Sequence, residues 1–313
     1  MSELNPSVFF SIVIPVYNAV PFIPTLFGSL EVQDSPPLNI IVIDSESKDG
    51  TADIALDAGC QVHRIKKQNF NHGGTRNLGA SMAHGDIIVF MTQDAILADD
   101  HALRAILKPF SDPQVGAVCG RQLPHKDANP LASHARHFNY PSTSCIKTKA
   151  NIPTMGIKVP FMSNSFAAYR KSIFDALGGF PENVIFGEDM CLAAKMVLNG
   201  YSVAYAGDAC VYHSHNYTLM EEFHRYFDVG VLHAHEPWIQ ESFGGAGGEG
   251  FRYVWSELAY AWKHGIYWVI RSILTCGIKF LGYKLGKNES KLPLWLKRKL
   301  SMNKGFWKTK TQK

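Results

Sequence analysis

A chain of 313 residues that is 46% hydrophobic and 12% aromatic has ample apolar material for a core, which argues against disorder and fits one large α/β domain with an appendage or two domains of ordinary size. The formal net charge of +4 is modest but unevenly placed: from Phe251 onward 14 Lys and Arg face two Glu, a contrast that points to an anionic partner for that segment. The six cysteines (Cys60, Cys119, Cys145, Cys191, Cys210 and Cys276) form no C-x-x-C pair and no zinc spacing, and read as buried apolar residues of a reducing compartment.

Met1–Pro6 lack the basic start and apolar core of a signal peptide, so a cytoplasmic location is expected. Residues 8–125 alternate between strand and helix patterns. VFFSIVIP (8–15), NIIVID (39–44), residues 61–65, DIIVFM (86–91) and residues 115–119 read as strands buried on both faces of a parallel sheet. Helices fit between them at about 20–32, 51–58, 75–83 and 99–110, with Thr51 as an N-cap and Gly59 as a stop. The alternation predicts a doubly wound α/β fold whose ligands bind beyond the carboxyl ends of the strands. Residues 125–160, rich in Pro, Asn, His and Ser, read as loop. A strand follows within 161–169, a loop and helix span 187–200, and two strands are read at 201–205 and 209–213. Gly244–Gly250 is a flexible break, and helical stretches at 251–265 and 266–285 lead into a basic tail. No apolar run is long enough to span a bilayer; Arg271 and Lys279 interrupt the nearest one.

Chemistry gathers at a few points. Asp44 and Asp94 each end a strongly apolar strand, which places a carboxylate in the ligand crevice. One such residue could simply cap a helix; two on separate strands favour a ligand carrying hydroxyls and a metal. FNHGGTRN (70–77) opens a helix, and its backbone N–H groups with Arg76 suit a phosphate, although a plain Gly-rich turn with a surface arginine has the same letters. Glu188 and Asp189 start a helix, where they either complement its dipole or supply a general base. His213 and His215, two apart after an apolar strand, share a face and are either structural or ligands for a divalent ion or diphosphate. Residues 245–250 match G-x-G-x-x-G but lack the preceding strand that a dinucleotide site needs.

Taken in order, IPVYN (14–18), IDSESKDGT (43–51), GGTRNLGA (73–80), TQDA (92–95), GGFPE (178–182) and GEDM (187–190) resemble the family 2 glycosyltransferases of the GT-A fold over about residues 10–220. FNHGGTRN together with FMTQDA is similar to the rhamnosyltransferase branch that builds bacterial O-antigens and related polysaccharides. The resemblance implies a GT-A type, Rossmann-like, mostly parallel sheet over 1–243, with a nucleotide-sugar half (8–125) and an acceptor half (126–243), and a helical, basic, aromatic-rich extension at 251–313. It implies that Pro15, Tyr17, Asn18, Asp44, Arg76, Gln93 and Asp94 surround the nucleotide-sugar. Asp94 and His213 would bind a divalent Mg²⁺ or Mn²⁺, although Thr92 stands where the family's D-x-D motif has its first aspartate. Asn164, Gly179 and Phe180 would lie on the acceptor side. Asp189, or alternatively Glu188, would be the base of an inverting transfer from dTDP-β-L-rhamnose to a lipid-linked or growing glycan, giving an α-L-rhamnoside. A UDP- or GDP-sugar donor and a noncatalytic nucleotide-binding module remain as alternatives. A sugar nucleotidyltransferase does not fit, because IPVYNAVPF is not its Gly-rich triphosphate loop.

The last 60 or so residues interleave Trp255, Trp262, Trp268, Trp295 and Trp307 with Lys and Arg. Such a mixture suits an anionic membrane interface at the inner face of a bacterial plasma membrane, or a helical hairpin that packs on other protein. No nucleic-acid motif accompanies the charge.

Overall fold

The computed structural model describes residues 9–245 and 247–309. Met1–Pro6, read for a signal segment, Val8, and Lys310 and Lys313 of the basic tail lie outside the described residues. The chain divides into two compact units, one built from the ranges 1–123, 141–182 and 188–213, the other from 124–140, 183–187 and 214–313.

The described residues of the first unit form nine strands: β1 (Phe10–Val16), β2 (Asn39–Asp44), β3 (Gln61–Arg64), β4 (Ile87–Met91), β5 (Ile96–Leu97), β6 (Val115–Leu123), β7 (Cys145–Lys147), β8 (Phe166–Arg170) and β9 (Ser202–Tyr212). They lie in the order β3-β2-β1-β4-β8-β6-β9-β5, with β7 also paired to β9. The pairs β1–β2, β1–β4, β2–β3 and β6–β9 are parallel, while β8 runs antiparallel between β4 and β6. This is the mostly parallel α/β sheet that the apolar runs predict. Central strands β1 and β4 are buried on both faces, which explains why FSIVIPV and IIVFM show almost no polar alternation. Ile23, Leu26, Phe27 and Leu30, at helical spacing on the helix Ile23–Glu31, close one face of this core.

Local differences from the sequence reading have physical causes. Thr51 is the first helical residue and not the cap; Gly50 occupies the cap position with φ +89°, and the Thr51 hydroxyl instead accepts the Ala19 N–H at 2.7 Å. The third helix, His72–Ser81, starts before Thr75 because Asn71 caps it, accepting the Gly74 N–H at 2.6 Å. The two strands read at 201–205 and 209–213 are one strand, β9, with a register shift opposite Gly120/Arg121. Among the cysteines, Cys60, Cys119 and Cys191 are buried, but Cys145 is exposed.

The second unit is helical. Its longer helices are Pro130–Asn139, inside the stretch read as loop, Leu219–His235, Gly247–Trp262 and Ile266–Lys287. Leu219–His235 and Ile266–Lys287 approach backbone to backbone: a Cβ on Gly230, Gly282 or Gly286 would overlap main-chain atoms of the facing helix. Among the described residues no helix is long and apolar enough to cross a membrane.

Candidate active site

The carboxyl ends of β1, β2 and β4 carry the first group of polar side chains. Asp44, only 1% exposed, ends β2 and receives the Ser47 N–H on both carboxylate oxygens at 3.2 and 3.3 Å, so that the turn after the strand is shaped by the carboxylate itself. Pro15 lies near the end of β1, in register with Ile43 of β2. Tyr17 follows β1: its N–H donates to Gln93 Oε1 at 2.8 Å, Gln93 Nε2 returns a 3.3 Å bond to the Tyr17 carbonyl, and Lys67 Nζ sits 4.0 Å from the ring centroid. Asn18 takes a left-handed φ of +46°, which asparagine tolerates, and its Oδ1 accepts the Lys48 N–H at 3.0 Å. Main-chain turn, Gln93 and the Asp44 loop are thus braced against one another before any ligand arrives.

A second group forms where β4, β6, β8 and β9 meet. Asp94 Oδ1 lies 3.5 Å from His213 Nε2. The other imidazole nitrogen of His213, Nδ1, is 2.9 Å from Gln122 Oε1, which can only accept, so Nδ1 donates and Nε2 is the nitrogen left facing Asp94. Gln122 is itself held, its Nε2 donating to Ser163 Oγ at 2.8 Å. A carboxylate beside an oriented imidazole nitrogen is a fitting donor pair for a divalent cation, and the outer hydrogen bond is the kind that orients a ligating histidine. Thr92, which replaces the expected aspartate, buries its hydroxyl oxygen without a hydrogen-bond partner.

A third group surrounds the helix Glu188–Leu198. Glu188 is 4% exposed; its Oε1 accepts Asn164 Nδ2 at 3.0 Å and pairs with Arg76 Nη1 at 3.2 Å. Burial pushes the Glu188 carboxyl up, but Arg76, His72 and the Asn164 bond together outweigh it and hold the group below its ordinary value. Asp189, half-buried, receives the Asn164 N–H on Oδ2 at 3.0 Å and the Met190 N–H on Oδ1 at 2.7 Å. Burial, reinforced by the negative charge of Glu188, lifts Asp189 to about 7. Two adjacent carboxylates therefore separate in character: one stays ionised in a buried ion pair, the other is a proton acceptor poised near neutrality. Asn164 serves both, and Tyr169 Oη donates to its Oδ1 at 2.9 Å, which fixes the amide orientation.

A profile of glycosyl transferase family 2 matches residues 11–178, more than half of the chain. The chain belongs to glycosyl transferase family 2. Over 299 residues, 95% of each chain, it is 55% identical to the O-antigen chain rhamnosyltransferase RfbN of Salmonella typhimurium (strain LT2). It is 53% identical to WbaN of Salmonella anatum, which carries the same description, again over 95% of each chain. Among solved structures, a mannosyltransferase of Pyrobaculum calidifontis in complex with GDP-Man and Mn²⁺ superposes with a TM-score of 0.57 at 18% identity, covering 97% of this chain and 86% of the other. The sheet is thus the GT-A arrangement, and the protein is a glycosyltransferase.

Several residues of this glycosyltransferase sit differently from what motif position implied. Arg76 is 5% exposed and its guanidinium faces Glu188 and the His72 carbonyl, because the early helix start carries it to the second turn and away from the N-terminus. Gly73 is required by packing, since a Cβ there would overlap the Pro181 carbonyl. Phe180 is 2% exposed, within an aromatic cluster with Phe90, Tyr169 and Phe174. Gly179, at φ +68°, turns the chain so that Asn77 brackets Phe180, accepting its N–H and donating to its carbonyl, both at 2.9 Å. Asn164 is 3% exposed and its amide is committed to Glu188 and Tyr169. All three acceptor-side candidates are buried. Gln122 was not singled out from the sequence, yet it lies in the last residues of β6, the same kind of position that drew attention to Asp44 and Asp94.

Proposed function

We propose that this glycosyltransferase moves L-rhamnose from dTDP-β-L-rhamnose to a lipid-linked or growing O-antigen-like chain, with inversion, at the inner face of a bacterial plasma membrane. The near full-length match to two Salmonella O-antigen chain rhamnosyltransferases carries this reading.

Asp189 is the base. Above about 7 it is ionised, and it takes the proton of the acceptor hydroxyl as that oxygen bonds to the anomeric carbon. The bond from that carbon to the diphosphate oxygen breaks on the opposite face, so a β-linked donor gives an α-L-rhamnoside. Glu188 does not compete for the proton, because Arg76 and Asn164 hold its carboxylate in the charged form. Pro15, Tyr17, Asn18, Asp44 and Gln93 border the nucleotide. Asp94 and His213 would hold Mg²⁺ or Mn²⁺, with His215 two residues further along the chain as another candidate ligand. When bound, such an ion neutralises the charge growing on the leaving diphosphate. The basic helical unit rests on the anionic leaflet that presents the lipid-linked acceptor.

Calorimetric titration of dTDP, UDP and GDP with Mn²⁺, repeated with EDTA, tests the donor. Metal-dependent preference for dTDP supports the proposal, whereas preference for UDP or GDP keeps the family and replaces the donor. Anomeric assignment of the product by NMR then checks inversion; a β-L-rhamnoside would rule out the single displacement.

A further inference from the structure

The helices Gly247–Trp262 and Ile266–Lys287 have a polarity opposite to that of a helical pair built for water. Along the first, Phe251, Trp255 and Trp262 fall at i, i+4 and i+11, hence on one face, and each is at least 70% exposed. Along the second, Ile266, Ile270, Ile273 and Leu281 share one face, and each is more than half exposed. Polar groups occupy the opposite sides. Glu257 and Ser272 are 0% exposed, and Ser272 Oγ donates to Glu257 Oε1 at 2.6 Å across the pair. Lys279 Nζ lies 3.4 Å from Glu222 Oε1 and 5.3 Å from the ring centroid of Tyr226. Gly282 and Gly286 complete the same inward face, where they allow the close approach to Leu219–His235. Burying charges is costly even when they are paired, and leaving isoleucines and tryptophans in water adds to that cost. The second cost shrinks if the outward face is not in water.

We propose that this outward face is a monotopic insertion surface that lies in the plane of an anionic bilayer and enters its acyl region. The proposal deepens the surface association proposed above and rests on it. Charge selects the occupant. Lys284 and Lys287 are exposed on the second helix and Lys263 in the turn between the two, and the part-exposed Glu249 of the first helix is already paired with the exposed Arg252 at 2.7 Å. Anionic headgroups neutralise these cations, whereas a second copy of the chain would set them against their like. Four basic residues within Ile266–Lys287 and the absence of a spanning helix among the described residues fit a helix that lies flat.

The test uses the full chain with vesicles of phosphatidylethanolamine and phosphatidylglycerol carrying brominated acyl chains. Tryptophan emission should be quenched on binding, and much of the quenching should vanish in a Trp255→Phe/Trp262→Phe variant. Raising salt should weaken binding without abolishing it. Ile270→Asp with Ile273→Asp, at two positions more than half exposed, should lower vesicle partitioning by roughly tenfold or more while the far-UV circular dichroism stays that of the wild type. Binding that salt removes completely, without quenching, would overturn insertion while leaving electrostatic surface association intact. No vesicle binding at all would overturn both. A lipid-free dimer that Ile270→Asp/Ile273→Asp dissociates would assign the face to a second copy instead.

Discussion

Replacing Arg76 with methionine separates a buried structural cation from a nucleotide contact. Arg76 and Glu188 are 5% and 4% exposed and 3.2 Å apart, so the substitution removes the strongest opposing charge from a buried carboxylate and leaves it the Asn164 amide, its own backbone N–H and His72 for support. The protein's cheapest response is to protonate Glu188. At pH 7 that costs about 1.4 kcal/mol for each of the 2.5 pH units above the group's ordinary 4.5, a ceiling of about 3.4 kcal/mol. The sign follows from linkage. In the wild type the Glu188 pKa is lowered, so its contribution is present above 4.5 and lost as pH falls through the folded value. In the variant the pKa is raised, so stability falls as pH rises above 4.5. The gap between the two proteins should therefore widen by up to about 1.4 kcal/mol per unit between pH 5 and pH 7. Urea unfolding at pH 5, 6 and 7 measures it, and Arg76→Met/Glu188→Gln should recover most of the loss. A gap that is constant with pH, together with a large fall in affinity for dTDP, would refute the ion-pair reasoning and return Arg76 to the diphosphate.

Asp189→Asn should lower turnover by roughly two to four orders of magnitude while nucleotide binding by calorimetry stays nearly unchanged. In the wild type, turnover should rise with pH through a limb near 7, because the raised Asp189 must lose its proton before it can act, and Asp189→Asn should lack this limb. Between its ordinary 3.8 and about 7 the folded Asp189 retains a proton that the unfolded chain has released, so its contribution to stability declines across that window as pH rises. Gln122→Leu should weaken Mn²⁺ binding by about 10–100-fold in a metal titration followed without donor or acceptor, since the His213 Nδ1–H loses its acceptor. Gly73→Ala should cost about 1–3 kcal/mol in urea unfolding, because the new methyl overlaps the Pro181 carbonyl.

The core of the sheet was legible because it depends on local composition. NIIVID and DIIVFM are buried on both faces, and each delivers its aspartate to the carboxyl end or just beyond it. Two helices that were not read did carry local signals. Asn129 before Pro130 caps Pro130–Asn139, and Thr218 with Glu221 forms a capping box at the start of Leu219–His235. Polar composition masked the first, and histidines and glutamates diluted the apolar stripe of the second. The partners of Arg76, Asn164 and Phe180 were invisible for a different reason. Glu188 lies 112 positions beyond Arg76 and Asn77 lies 103 before Phe180, so each pairing exists only once the sheet has formed. Arg76 reads as a phosphate ligand from its place near a helix start and from the family resemblance, and Phe180 as an acceptor-side residue from the resemblance alone; neither source carries information on these long-range partners.

The reversed direction of β8 has a consequence for how such enzymes can diversify. Phe166 pairs with Met91 at the end of β4, and Ala167 with Cys119 in the middle of β6, so the entry to β8 meets the exit of β4 while β6 runs on past it to Leu123. Ser163 and Asn164, just upstream, thereby reach both Gln122 and Asp189. The whole excursion from residue 124 to residue 162 begins and ends beside this fixed tripod. Insertions or deletions within it, outside β7 with its pairing to β9, can alter what the enzyme meets outside while the register of β4, β8 and β6, and with it the spacing of the reacting groups, stays constant.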